Sequence, residues 1–166
     1  GFGFIGNYIL GKGFILTCSE AEAILKSDII HKNVVFPYLN GSDLNTNYDQ
    51  SASRYVINFA GMPLRRQEKI LWKEAGEQLQ KKWIKEGVVS YDYSDSVASD
   101  YPFILNIIKN KVLPERSKSK EETTCHKWWQ HARYRPEMID AIQNKDRVIA
   151  IAQVSKTVAF SFVSTN

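Results

Sequence analysis

Apolar positions along this chain change their period several times, and each change marks an element. RYVINF, residues 54–59, alternates, with Tyr55, Ile57 and Phe59 on one side and Arg54, Val56 and Asn58 on the other. A period of two sends the sets to opposite faces and predicts a half-buried strand. Between residues 64 and 86 the spacing becomes four, through Leu71, Ala75, Leu79 and Trp83. That predicts one helix, with Glu77 and Lys81 as an i,i+4 pair and Gly87 as its stop. Ile104, Ile107 and Ile108 form another apolar stripe behind Pro102. Proline suits the first turn of a helix, where its missing N–H has no partner to lose, and Pro114 then ends or kinks that helix. RVIAIAQVSKTVAFSFVS, from residue 147, holds two alternating runs on either side of Ser155 and Lys156. These predict a hairpin with both residues at its tip, although the turn lacks the usual glycine.

Shorter signals fill the gaps. Residues 7–16 read as strand, turn and strand. Thr17 and Glu20 have the spacing of a capping box, so a short helix should run to about Ser27. VVF at 34–36 is a short buried strand stopped by Pro37, and LNGSDLN at 39–45 is a turn centred on Asn40-Gly41. The acidic stretch 89–100 reads as a loop, and the charged stretch 115–124 as a mobile connection. An aromatic helix should lie near 125–133, and a short one from Pro136 to about Asn144. No internal repeat or low-complexity tract interrupts the chain. The expectation is a single α+β domain over residues 1–166, with mostly antiparallel strands and four or five helices.

With 166 residues the chain can bury one ordinary core. No apolar run approaches the length of a membrane span, and no basic-then-apolar leader marks a signal peptide. The chain begins at Gly1 rather than Met, and AFSFVSTN stops just after a strand pattern, which reads as a piece of a longer chain. Cys18 and Cys125 stand far apart in unlike contexts, as expected for reduced thiols in the cytoplasm rather than a disulfide framework.

Charge changes the picture more than composition does. The net charge is +4, but residues 105–135 contain eight lysines and arginines against three acids. That stretch is a net +5, so the rest of the chain sums to −1. Such focusing suits a polyanion, and it equally suits a solvated helical face.

Enzymatic signals are sparse. GFGFIG at the start fits G-x-G-x-x-G, but that fingerprint needs a strand before it and a helix N-terminus after it. The residues after Gly6 read as strand and turn, so a glycine-rich turn or bulge is the expectation. His126 and His131 are five apart, a poor spacing for two ligands on one helix face. No H-E-x-x-H, paired C-x-x-C, G-x-S-x-G or P-loop occurs, and no metal site is expected. CHKWWQHARYRPEM, residues 125–138, is richer: adjacent Trp128 and Trp129 cannot both face one way on a helix, so one belongs to the core and the other near the surface. Arg133 and Arg135 at that helix's end could fork onto phosphate oxygens or guanine edges, or cap carbonyls and pair with Asp140 or Asp146. Gln153, Ser155 and Lys156 near the hairpin tip could read base edges or form an ordinary solvated turn.

Five stretches in order, VVFPYLNGSDLN, SRYVINF, KNKVLPERSK, WWQHARYRPEM and VIAIAQVSKTVAFSFV, closely resemble the target-recognition region of MmeI-like (type IIL) restriction–modification DNA methyltransferases. GNYILGKGFILT resembles that family's entry into the region, so the likeness covers nearly the whole chain. It implies a DNA-reading piece of a larger adenine methyltransferase. S-adenosylmethionine would bind in a separate, flanking methyltransferase domain of the same chain, which carries an Asn-Pro-Pro-Tyr/Phe motif. That motif is absent here, so no cofactor and no catalytic residue are expected in this piece; many relatives also carry a nuclease domain. The implied partner is double-stranded DNA, with no membrane. Arg135, Gln153, Ser155 and Lys156 would read bases. Lys109, Lys111, Arg116, Lys118, Lys120, Lys127, Arg133 and Arg147 would hold phosphates, over a framework stiffened by Trp128 and Trp129. Gln153 stands where the family usually has Arg. The family's region also runs on past the AF-FV strand, which implies further base-reading residues beyond Asn166. Two other classes stay open on the residues alone: a protein-interaction or scaffold domain with a basic face, and a stand-alone enzyme.

Overall fold

Thr17 opens the first helix as its spacing predicts. Its hydroxyl accepts from the backbone N–H of Glu20, whose carboxylate accepts in return from the N–H of Thr17 at 2.8 Å. The structure, a computed structural model, describes residues 3–119, 121–156 and 158–165, and for residues 122 and 123 the backbone only. The elements in chain order are β1 (Ile15–Leu16), α1 (Cys18–Ser27), β2 (Val35–Tyr38), α2 (Gly41–Thr46), β3 (Arg54–Ile57), β4 (Arg65–Glu68), α3 (Glu77–Glu86) and β5 (Val88–Ser90). They continue with α4 (Pro102–Lys111), α5 (Leu113–Arg116), α6 (Glu122–His126), α7 (Pro136–Ile142), β6 (Arg147–Ile151) and β7 (Phe160–Ser164). The α+β class is as expected.

β3 is the centre of an antiparallel sheet ordered β1-β3-β2, with Ile15 opposite Val56 and Val35 opposite Ile57. Val56 and Ile57 point to opposite faces, yet both are buried. The sheet is therefore covered on both sides at β3, not half-buried as the alternation suggested. β2 runs through Pro37, which pairs with Tyr55. An edge strand tolerates a residue that cannot donate, so proline does not stop this one. Against the sheet pack Phe14, Phe59, Tyr101, Ile104, Ile108, Val112 and Trp129.

Three expected elements come out differently. LNGSDLN holds a helix rather than a turn, because Asn40 caps it. Its Oδ1 accepts from the N–H groups of Ser42 and Asp43, and Asp43 reciprocates toward the Asn40 N–H. Residues 64–86 are not one helix but β4 followed by α3, and α3 returns the chain to lay β5 parallel to β4. β4 has no apolar residue. It is anchored by Arg66, which donates to the carbonyls of Tyr93 and Asp95 and to the Asp100 carboxylate at 2.6 Å. Gly87 does stop α3, at φ 79°, and a Cβ there would lie 2.4 Å from the Trp129 ring, so only glycine fits. β5 and α3 close over a smaller cluster of Ala75, Trp83, Val89 and Val97.

The third difference lies at residues 125–133. α6 ends at His126, the chain turns through Lys127–Trp129, and then it extends until Arg133 and Tyr8 exchange two backbone hydrogen bonds of 3.2 Å. Arg133 thus sits on a bridge, not at a helix end, and Tyr8 forms this bridge where a strand was expected. The C-terminal hairpin exists as β6 and β7, paired from Arg147–Ser164 to Ile151–Phe160. Eight positions separate the two strands, with Ser155 and Lys156 near the middle, so the connection is not a two-residue turn, and its described residues, 152–156 and 158–159, hold no helix or strand. No helix among the described residues is long and apolar enough to cross a membrane.

Candidate functional site

A cleft of about 1070 Å³ opens where chain segments far apart in sequence meet. One wall is the N-terminal stretch 5–9, held by the Tyr8–Arg133 bridge. Another is β2 with the cap of α2, and a third is residues 131–135 with α7. Arg135 is the residue before α7, and its backbone N–H donates to Asn7 Oδ1 at 3.0 Å, which ties the first wall to the third. The base of the ribbon loop closes one end: a Cβ on Gly41 would lie 3.2 Å from the Ala152 side chain, and Gln153 beside it lines the cleft.

The lining is chemically one-sided. It includes Arg133, Arg135, His131 and several amides, among them Asn40, Asn58 and Gln153, and among the described residues no aspartate or glutamate lines it. Tyr8, Phe36, Tyr38 and Tyr134 add aromatic surface. Three lining residues carry a buried polar atom without a partner: Asn40 Nδ2, Arg135 Nε and His131 Nδ1. The His131 Nε2 lies 2.9 Å from the Ile57 carbonyl, which can only accept. Nε2 therefore carries the proton, and in the neutral ring Nδ1 is a bare acceptor. Burial pushes the His131 pKa below its ordinary value; the bond to Ile57 opposes that shift, and the nearby Arg116 charge adds to it.

Of the residues read from the sequence as DNA contacts, Arg133, Arg135 and Gln153 come together at this cleft. Ser155 and Lys156 are exposed on the ribbon loop just beyond it. Arg147 is exposed on β6, its guanidinium 4.6 Å over the Phe162 ring. Lys109 and Lys111 are exposed on α4, where Lys111 lies 3.6 Å from a Glu20 carboxylate oxygen. Lys118 is exposed after α5, and Lys120 lies outside the described residues. Lys127 is half-buried, and desolvation, with Lys85 nearby, lowers its pKa.

Arg116 is a correction. Expected on a mobile, charged connection and free for a phosphate, it is 2% exposed. Its Nη1 donates to the carbonyls of Lys127, Trp128 and Gln130, and its Nη2 donates to Leu10 at 2.6 Å. Phe14 stacks 4.9 Å from the guanidinium carbon. With these donors consumed inside the protein, Arg116 organises the turn that carries the tryptophans. The tryptophans divide as expected: Trp129 is buried and donates from Nε1 to the Met62 carbonyl at 3.0 Å, while Trp128 is half-buried.

Sequence reasoning missed His131, Asn40 and Asn58 as parts of a site, and it placed GFGFIG only as a turn. Neither Gly3 nor Gly6 adopts a positive φ, and residues 3–7 form no turn or strand, so the expected glycine turn or bulge is not found among the described residues; Gly1 and Phe2 lie outside them. Residues 5–9 are instead a cleft wall. Asn40 had a usable signal, an Asn with Asp three residues on. Cys18 and Cys125 are free thiols. Among the described residues no group of three or more His, Cys, Asp or Glu could hold a metal. Comparison of the chain with family models, with curated proteins and with solved structures finds no match.

Proposed function

We propose that this chain reads the sequence of duplex DNA for an adenine-specific DNA methyltransferase and holds the parent's catalytic domain on its target. The observation that carries this reading is the meeting of Arg133, Arg135 and Gln153 at a cleft without carboxylates, beside a loop that exposes Ser155 and Lys156. Arginine can fork onto guanine O6 and N7, and glutamine onto adenine N6 and N7. Arg147, Lys109, Lys111 and Lys118 are exposed cations that would position the module on phosphates without reading bases. S-adenosylmethionine belongs, on this reading, to the flanking domain.

The test is equilibrium binding of the chain to duplex DNA across a salt series. Four to six phosphate contacts give a slope of log K against log salt of about −4 to −5. Arg135→Ala or Gln153→Ala should change which sequence is preferred, at roughly 1–3 kcal/mol per good bidentate pair. Lys118→Ala should weaken all sequences alike. A flat salt response sinks the reading.

One observation favours a second reading, a protein-interaction domain. β6 and β7 expose Ile149, Ile151, Phe160 and Phe162 on one face, an apolar patch that a protein surface would cover better than a duplex would.

A further inference from the structure

We infer that the cleft accepts a single nucleotide, its base between the aromatic walls and its phosphate at Arg133 and Arg135. The inference stands on the shape and chemistry of the cleft and does not require that the chain read intact duplex.

The size is right. At about 1070 Å³ the cleft lies just above the roughly 300–1,000 Å³ that pockets for organic ligands occupy, so a single nucleotide fits with room to spare. The polar lining defines what the ligand must offer. Arg133 and Arg135 bring charged donors, and Asn40, Asn58 and Gln153 bring amides that both donate and accept. An apolar ligand would take these groups out of water without replacing their partners, which is costly. A metal ion or an amine would meet two guanidinium groups and no carboxylate. A nucleobase carries ring or carbonyl acceptors together with an N–H donor, and it is flat enough to lie against Tyr38 and Tyr134. Arg133 is exposed, which sets it at the mouth, where a phosphate would stay partly solvated. The nucleotide could come from DNA, everted from the stack, or could be free in solution; both present the same base and phosphate.

Two arms distinguish the sources. In the first, the chain is titrated with each of the four deoxynucleoside monophosphates and followed by calorimetry. In the second, it is titrated with paired duplexes and with otherwise identical duplexes bearing one mismatch. A mismatched base is cheaper to unstack, so an everted nucleotide should make the mismatched duplex bind roughly tenfold more tightly. Saturable binding of a monophosphate without that preference assigns the cleft to a free nucleotide. In either case Arg135→Ala should weaken binding about tenfold or more. Asn40→Asp keeps the cap of α2 and replaces the donor with an anion, and it should do the same with the fold intact by circular dichroism. Lys26→Ala, on α1 and outside the cleft lining, should change nothing in the monophosphate arm.

No monophosphate binding up to about 10 mM, together with equal affinity for paired and mismatched duplexes, overturns the inference. So does nucleotide binding that Arg135→Ala and Asn40→Asp leave unchanged. Salt-dependent binding to paired duplex would survive either result, so failure here is separable from failure of the DNA-reading proposal. Conversely, a flat salt response with saturable monophosphate binding would remove that proposal and keep this one.

Discussion

Arg116 is 2% exposed, whereas Phe160 and Phe162 in β7 are 70% and 60% exposed. A cation lies in the core of one region, and aromatic rings lie in the solvent of another. Around Arg116 the backbone turns sharply and points the carbonyls of residues 127, 128 and 130 inward, with that of Leu10 facing them from the N-terminal segment. Those acceptors would be unpaired without a donor, and only arginine brings several in a fixed fork. In the ribbon the smaller residues, Val148, Ala150, Ser161 and Val163, lie on the half-buried face, while Ile149, Ile151, Phe160 and Phe162 lie on the open one. Two strands alone are marginal in water, so the ribbon depends on docking its small face. Polarity thus decides burial only after backbone groups are counted: the inward carbonyls claim the charge, while Phe160 stays open to solvent and Phe162 stays exposed even under the Arg147 guanidinium.

Breaking the first half of that contrast has the largest effect. Arg116→Ala strands four carbonyls and should cost about 3 kcal/mol or more in chemical denaturation. A loss within about 0.5 kcal/mol, the range of ordinary surface positions, would mean that the carbonyls find water and that Arg116 is replaceable.

A smaller effect comes from His131, on the same core and near the same charge. Its folded pKa is depressed, chiefly by burial, so the unfolded state takes up a proton more readily. Its contribution to stability is therefore full above the unfolded value, near 6.5, and is lost as pH falls from there toward the folded value. Thermal melts at pH 7.5 and 5.5 should show the protein less stable at the lower pH. His131→Gln, lacking the titrating group, should narrow that gap; an unchanged gap would place the pH sensitivity elsewhere.

The smallest effect belongs to the ribbon. Phe160→Thr and Phe162→Thr, at exposed strand positions, should each change stability by no more than about 0.5 kcal/mol. A cost near the roughly 3 kcal/mol of a core phenylalanine would show that this face is covered in solution. The same melts repeated over a range of protein concentration would then tell whether a second copy covers it.

Much of the fold was legible because its signals are local. Thr17 with Glu20, Pro102, Pro136 and Gly87 each act within a few residues, and each marks a helix end where expected. Alternation over 147–164 predicted the hairpin for the same reason: period two is a property of the strand itself. The α+β class came from these together. The capping of α2 was also local, but Asn40-Gly41 reads as a turn until the Asp43 carboxylate is seen closing the box. Tertiary structure alone decided what depends on distant partners. Arg66 makes a strand of polar residues because its acceptors lie 27 to 34 positions on. The cleft and its framework rest on contacts across 74 residues from His131 to Ile57, 106 from Arg116 to Leu10, and 128 from Arg135 to Asn7. A pattern read along the chain gives each side chain a direction relative to its own element; whether that direction meets carbonyls, a ring or water is set by which segment the fold brings opposite.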